Sequence, residues 1–489
     1  MKENPLTPRT ACRALTLFMA FLGTGAVLAG EPAAKFSVAH IFGDHMVLQR
    51  GREVPVWGTA PAGSEVTVKV AGKSASAKAD AEGKWTVKIG PLEAGGPHEM
   101  TVAGGGGSAT FKDVLVGEVW FASGQSNMMT PVSFEFEDIA KKELAAADRP
   151  QIRLRRGVWG GKWEVCTPES AKSFSGLAYF FGRDLHEALK VPIGLVAIFQ
   201  GGSPIETFMS KESIVEAATP ERKAGVKGAG GCWPDIEKLI PYGVAGAIWY
   251  QGEGGSGVNR YDLTFEVMLK DWRTRWGRED LPFLFVQLSG PDKGMKPTVP
   301  GEGGGIHPGV YGTHLLQFQC LRIPNTGMIL AADYEVSRDS WMGHPKNRVE
   351  LGRRMALLAR GMVYGEKDKI VWGSPLPESM TVQGNKVLLK FRHAGQGLKA
   401  KGNEKGEVSG FSVGGRYVAA RIAAPGAVEL TVDKGVSGKS IQYMPCSTEG
   451  NLVNSADLPA PIFSVDEKWF AEQARPSGDK PGEPKGERR

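Results

Sequence analysis

Four short stretches of this chain carry residue types able to do chemistry together. The first is Gly124-Gln125-Ser126-Asn127-Met128, which follows an apolar run over residues 114–121. Strand, tight turn, then polar residues is how an α/β enzyme offers a nucleophilic hydroxyl at the carboxyl end of a strand. Alone, Gly-Gln-Ser-Asn is equally ordinary turn chemistry. The second stretch, Phe199-Gln200-Gly201-Gly202-Ser203-Pro204-Ile205-Glu206, puts paired glycines where backbone can approach a ligand and aim an N–H at it. The third, Trp249-Tyr250-Gln251-Gly252-Glu253, offers an amide donor and a carboxylate, and the fourth, Gly343-His344-Pro345-Lys346-Asn347-Arg348, an imidazole ahead of a helix. A hydroxyl, a Gly-Gly loop, an amide and a histidine brought together form an acyl-transfer site. A serine hydroxyl is a weak nucleophile at neutral pH and needs a base to take its proton. The tetrahedral intermediate then needs preorganised donors for its negative charge.

The elements that must position these groups are legible as well. Apolar runs over residues 114–121, 193–199, 244–250, 282–288 and 327–332 suit strands buried on both faces. Between them the spacing predicts amphipathic helices: Leu177, Phe181, Leu185 and Ala188 on one; Tyr261, Phe265, Met268, Trp272 and Trp276 on another; Leu351, Met355 and Leu358 on a third. The expected fold is α/β: an α/β/α sandwich with a mostly parallel sheet over residues 112–372, ligands gathering at the strands' carboxyl ends. On either side the pattern is β. Val66, Val68 and Val70, then Trp85, Val87 and Ile89, alternate with polar residues, predicting a small antiparallel sandwich over 30–111 that ends in a flexible joint at 104–107. A Gly384-Asn385 turn between apolar runs opens a C-terminal β domain over 373–466, followed by a tail at 467–489 whose end reads as disordered.

Composition narrows the classes. Hydrophobic content of 41% with 23% charged residues describes a globular protein. Residues 1–29 read as a secretory signal peptide: Lys2, Arg9 and Arg13, an apolar stretch too short to span a bilayer, then Val27-Leu28-Ala29. Removing them takes away three basic groups and one acidic group and lowers the net charge from +6 to +4, too mild to suggest a nucleic-acid partner. The expected product is exported, periplasmic or extracellular, with no membrane attachment. Cys166, Cys232, Cys320 and Cys446 remain, with three possible pairings. No Cys-x-x-Cys or His-Glu-x-x-His spacing supports a metal site. Trp120 and Trp249 read as core, Trp233 and Trp341 as better platforms for a sugar ring, and His307 as a surface residue.

Taken in order, the four stretches resemble the SGNH (GDSL-like) hydrolases, and most of all the bacterial sialate O-acetylesterase-like proteins. The likeness runs from about residue 40 to 466 and includes the flanking β segments. It implies Ser126 as nucleophile and His344 as general base. The implied oxyanion donors are the Ser126 N–H, the N–H of Gly201 or Gly202, and the Gln251 side chain. It implies no cofactor, and an O-acetylated sugar or glycan as substrate. Gln125, Asn127, Glu206 and Glu253 are the candidates for substrate contact; the competing reading of the two glutamates is that they only tie loops together. Two departures stand out. The family's Asp two or three positions before the histidine is replaced by Met342 and Trp341. Asp339 is the nearest acid and Asp333 a further candidate; the alternatives are a Ser–His dyad held by a backbone carbonyl or a crippled enzyme. The family's Gly-Glu-Ser-Asn also reads Gly252-Glu253-Gly254-Gly255.

The resulting expectation is a secreted carbohydrate O-acetylesterase acting through an acetyl-enzyme on O-acetylated sialic acid or, alternatively, on an acetylated polysaccharide such as xylan. The competing expectation is a non-catalytic glycan-binding protein that keeps the fold. Oligomeric state is not readable from the sequence.

Overall fold

Long apolar strands pair where both their faces can be covered, and the central sheet is built on that condition. A computed structural model describes residues 34–157, 160–217, 231–254, 260–289, 308–333, 344–433, 439–443 and 450–473. Seven strands run through the sheet: β1 (Gly107–Gly124), β2 (Arg149–Arg156), β3 (Trp163–Cys166), β4 (Ile193–Phe199), β5 (Gly246–Tyr250), β6 (Phe283–Gln287) and β7 (Thr326–Leu330). Their spatial order is β3-β2-β4-β1-β5-β6-β7. The pairs from β2 to β7 are parallel, and β3 turns back antiparallel on β2.

Consecutive residues of β1 show why helices must lie on both faces. Trp120 packs edge-on against Phe181, 5.0 Å between ring centres, in helix α2 (Gly176–Leu189). Phe121 meets Trp272, 5.3 Å away, in helix α3 (Tyr261–Trp276) on the opposite face. Helix α4 (Arg348–Met362) joins α2 on the first face through Leu351, Met355 and Leu358. Each large side chain buried this way contributes about 1.5–3 kcal/mol.

The whole sheet is mixed, and β1 is the reason. It continues without a break into the N-terminal β segment, pairing parallel with Val47–Gln49 and antiparallel with Gly95–Gly104, which pairs in turn with Glu65–Val70; the whole sheet has 11 strands. The joint expected at residues 104–107 is a tight hairpin. Gly104 pairs with Gly107, and Gly105 and Gly106 take φ of +57° and +80°, the left-handed pair that a two-residue turn between twisted strands requires.

C-terminal to α4, the Gly384-Asn385 turn joins Leu376–Gln383 to Lys386–Arg392 as expected. A separate four-stranded sheet ends with Phe463–Val465. It is fastened to the central layers: the Gln287 side chain donates to the Ile462 carbonyl (2.8 Å) and accepts from its N–H (2.9 Å). Among the described residues no helix is long and apolar enough to cross a membrane.

His393 gives this region a pH-sensitive element. Its ring lies 4.2 Å from that of Trp372, and burial, with Arg392 adding to it, pushes its pKa from 6.5 down to about 4. The unfolded chain therefore binds this proton at a higher pH than the folded one. The contribution is fully present above pH 6.5 and is lost as pH falls toward 4. Between pH 7 and 5 the parent is expected to lose on the order of 1–2 kcal/mol through this residue. Asn tolerates the φ of +61° at this position, so His393→Asn should flatten the urea-midpoint decline over that interval. An equal decline in both proteins would refute the assignment.

Candidate active site

Three neighbouring strands finish at one level. Phe199 of β4 and Tyr250 of β5 both pair with Gly124 of β1, so three of the four motifs leave the sheet side by side. Backbone bonds lock the exit: the Gln125 N–H donates to the Tyr250 carbonyl (3.0 Å) and the Gln200 N–H to the Gly124 carbonyl (3.1 Å). Gly124 has φ +140°, and a Cβ there would lie 2.1 Å from the Tyr250 carbonyl oxygen. Gly124→Ala is expected to lose on the order of 3 kcal/mol of stability and most of the activity with it, read from urea midpoints and turnover. An unchanged midpoint would contradict this account of the turn.

Ser126 then opens a short helix, α1 (Ser126–Met129), whose end is closed by Thr130; the Thr130 hydroxyl and N–H both donate to the Ser126 carbonyl, at 2.7 and 2.8 Å. As the first residue of the helix, Ser126 has an N–H that the helix itself does not use. The Gly-Gly loop borders it: a Cβ added at Gly201 would lie 3.9 Å from the Ser126 Cβ. Gly202 follows with φ +68°.

The imidazole arrives from far along the chain. His344 Nε2 lies 2.9 Å from Ser126 Oγ across 218 residues of sequence, and both side chains are partly exposed. His344 stands just ahead of α4, whose N-cap is Asn347, its side chain accepting from the Glu350 N–H. Of the acids considered for orienting the ring, Asp339 lies outside the described residues, as do Trp341 and His307. Asp333 is held by Arg354 through two contacts of 2.7 and 2.8 Å.

Several residues expected to meet substrate face the protein instead. The Gln251 side chain is fully buried and donates to the carbonyls of Ser203 (3.2 Å) and Gly254 (3.1 Å), so it ties two loops together rather than serving as an oxyanion donor. Gln125 is 3% exposed, its Oε1 accepting from the N–H groups of Gly252 and Gly254. Asn127, 1% exposed, donates to Glu253 Oε1 (2.6 Å) and accepts from Arg348 (3.2 Å). The physical reason is common to all three: strand ends leave backbone and side-chain polar groups that must find partners once buried. Burial pushes the carboxyls of Glu206 and Glu253 up; in each, the Oε2 atom is buried with no hydrogen-bond partner among the described residues. Glu206 is 3% exposed, and of the four substrate candidates only Glu253 retains partial exposure. Trp233, expected as a sugar platform, is buried beneath Arg275, 5.0 Å from its ring. Trp120 and Trp249 are core residues, as expected. Cys166, Cys232 and Cys320 are buried free thiols, and Cys446 lies outside the described residues.

One pair was not anticipated. Glu135 and Arg348 form an ion pair whose side chains are completely buried beside the serine turn. Arg348 lies within the fourth motif, but nothing in its sequence context signals burial, and Glu135 sits in an unremarked loop.

A profile of the sialic acid-specific acetylesterase family of carbohydrate esterases matches residues 116–360. Human sialate O-acetylesterase is 30% identical over 428 residues, covering 76% of this chain and 80% of the human protein. The chain belongs to the sialic acid-specific acetylesterase family. The family's rat sialate O-acetylesterase is 26% identical, covering 83% of this chain and 86% of the rat protein. A crystal structure of a carbohydrate acetylesterase from Xanthomonas citri superposes with a TM-score of 0.74 at 31% identity, over 88% of this chain and 99% of that one. Membership of this esterase family, with that fold, makes the protein a carbohydrate O-acetylesterase.

Proposed function

We propose that Ser126 attacks the acetyl carbonyl of an O-acetylated sialic acid while His344 takes its proton. The carbonyl oxygen becomes an oxyanion facing the N–H groups of Ser126 and of Gly201 or Gly202. As it collapses, His344 returns the proton to the departing sugar hydroxyl and an acetyl-enzyme remains. Water, deprotonated by the same imidazole, then releases acetate and restores the serine. The observation that carries this reading is the 2.9 Å contact between His344 Nε2 and Ser126 Oγ. Asp339, the acid nearest to His344 in the sequence, is proposed to orient the ring. The sugar follows from the family description and from the names of the mammalian relatives. Export through a signal peptide at residues 1–29 belongs to the same proposal, as does a three-part division of the mature chain into flanking β domains and a central catalytic domain.

Acetate release from 9-O-acetylated sialic acid, compared with acetylated xylan, tests the reading. Release from the sialate in preference to xylan is the expected result. Preference for xylan would retain the chemistry and overturn the sugar. No acetate from either, nor from p-nitrophenyl acetate, would remove the catalytic assignment.

A further inference from the structure

The buried Glu135–Arg348 pair has no part in the acyl chemistry, yet its contacts reach the chain neighbours of both reacting residues. Arg348 Nη2 donates to Asn127 Oδ1 at 3.2 Å, the residue immediately after Ser126. Arg348 Nη1 donates to the Pro345 carbonyl, the residue immediately after His344. The same Nη1 contacts Glu135 Oε1 at 3.3 Å, and the Arg348 backbone N–H donates to Glu135 Oε2 at 2.9 Å. Phe134 covers the guanidinium, 5.5 Å from its ring centre. From Asn127 the chain of contacts continues to Glu253 at 2.6 Å, reaching the third motif.

A completely buried ion pair is poor value as a stabiliser, because desolvation offsets most of the attraction and apolar replacements are often neutral or better. Its geometric effect is another matter. A planar fork with several fixed donors can hold two segments in one register, which an ammonium on a flexible stem does not do. We propose that Arg348, anchored by Glu135, is a positioning residue that sets the distance between Ser126 Oγ and His344 Nε2 by clamping Asn127 and the Pro345 carbonyl together. This rests on the roles proposed for Ser126 and His344. A misplacement of about 1 Å between reacting groups costs roughly 100-fold in rate.

The test counts active sites before measuring rates. A fluorophosphonate, run to completion, titrates the serine in the parent, Arg348→Lys, Arg348→Met and Asn127→Ala, and kcat is expressed per titrated site. Simple destabilisation lowers the number of sites and leaves kcat per site unchanged. Mispositioning leaves the sites titratable and lowers kcat per site. Arg348→Lys is expected to lose roughly 10–100-fold in kcat per site, with KM within about threefold of the parent. Adding Asn127→Ala to Arg348→Lys should cost less than the product of the two single losses, since the two residues share one contact and Asn127 has its own bond to Glu253 besides. A folded variant that no longer labels supports the proposal as well. Values of kcat per site within about threefold of the parent for both Arg348 variants, or full additivity in the double variant, overturn it. Should neither Arg348 variant fold, Asn127→Ala decides by the same threshold. A parent that fails to label at Ser126 removes the reading of the site itself; a parent that labels beside indifferent variants removes only the role of Arg348.

Discussion

Ser126→Ala is expected to lower kcat for acetate release by roughly 10⁴–10⁶-fold. On the proposed mechanism its hydroxyl forms the acyl bond, and that hydroxyl lies 2.9 Å from His344 Nε2. Neighbouring donors and substrate binding survive the substitution, so a residual rate of about 10³–10⁴ over water is the expected floor. The fold should barely notice: Ser126 is partly exposed, and the bonds that close α1 are made to its backbone carbonyl, not its side chain. A melting midpoint close to the parent's, together with lost turnover, is therefore the combined signature. Retention of more than about 1% of parental kcat would place the nucleophile elsewhere.

His344→Ala should lose a comparable factor, roughly 10⁴–10⁶-fold, because without a base the serine attacks as a neutral alcohol. The truncated side chain leaves a ring-sized gap beside Ser126 Oγ, and the histidine is partly exposed, so the gap is open to solvent. Added imidazole should therefore restore part of the lost rate in a concentration-dependent way, and it should do nothing for Ser126→Ala. The double variant is expected to be no slower than either single one, since nucleophile and base act as a unit. Multiplicative losses, or rescue of both variants alike, would contradict a shared step.

The strands and helices around the site were legible because each carries its period on its face. Residues 193–199 form a strand with those bounds, and the helix marked by Tyr261, Phe265, Met268, Trp272 and Trp276 spans Tyr261–Trp276. The motifs gave the order of the reactive residues along the chain. They did not give the lateral order of strands, β4-β1-β5, which places three motifs at one level; that comes from pairing between distant segments. Polar residues beside the serine were harder still. An amide next to a nucleophile reads the same whether it greets a substrate or satisfies a buried N–H, and Gln125, Asn127 and Gln251 take the second course. Four glycines at 104–107 read as slack, yet paired flanking strands turn them into a tight corner. Glu135 and Arg348 left no trace, because charge on the page carries no mark of depth.

The uninterrupted run of β1 from Gly107 to Gly124 has a practical meaning for anyone wishing to shorten this enzyme. The region matching the family profile begins at residue 116, midway along that strand. A gene cut there would strip away the first part of the strand together with Val47–Gln49 and Gly95–Gly104, whose pairing reaches Val116 and Gly117 of the part that stays. The severed end would belong to the rod that carries the serine turn, so any fraying would travel toward the chemistry. In this protein the seam between modules is a ladder rung, not a hinge, and the flanking sheet is the splint on which the serine turn is mounted.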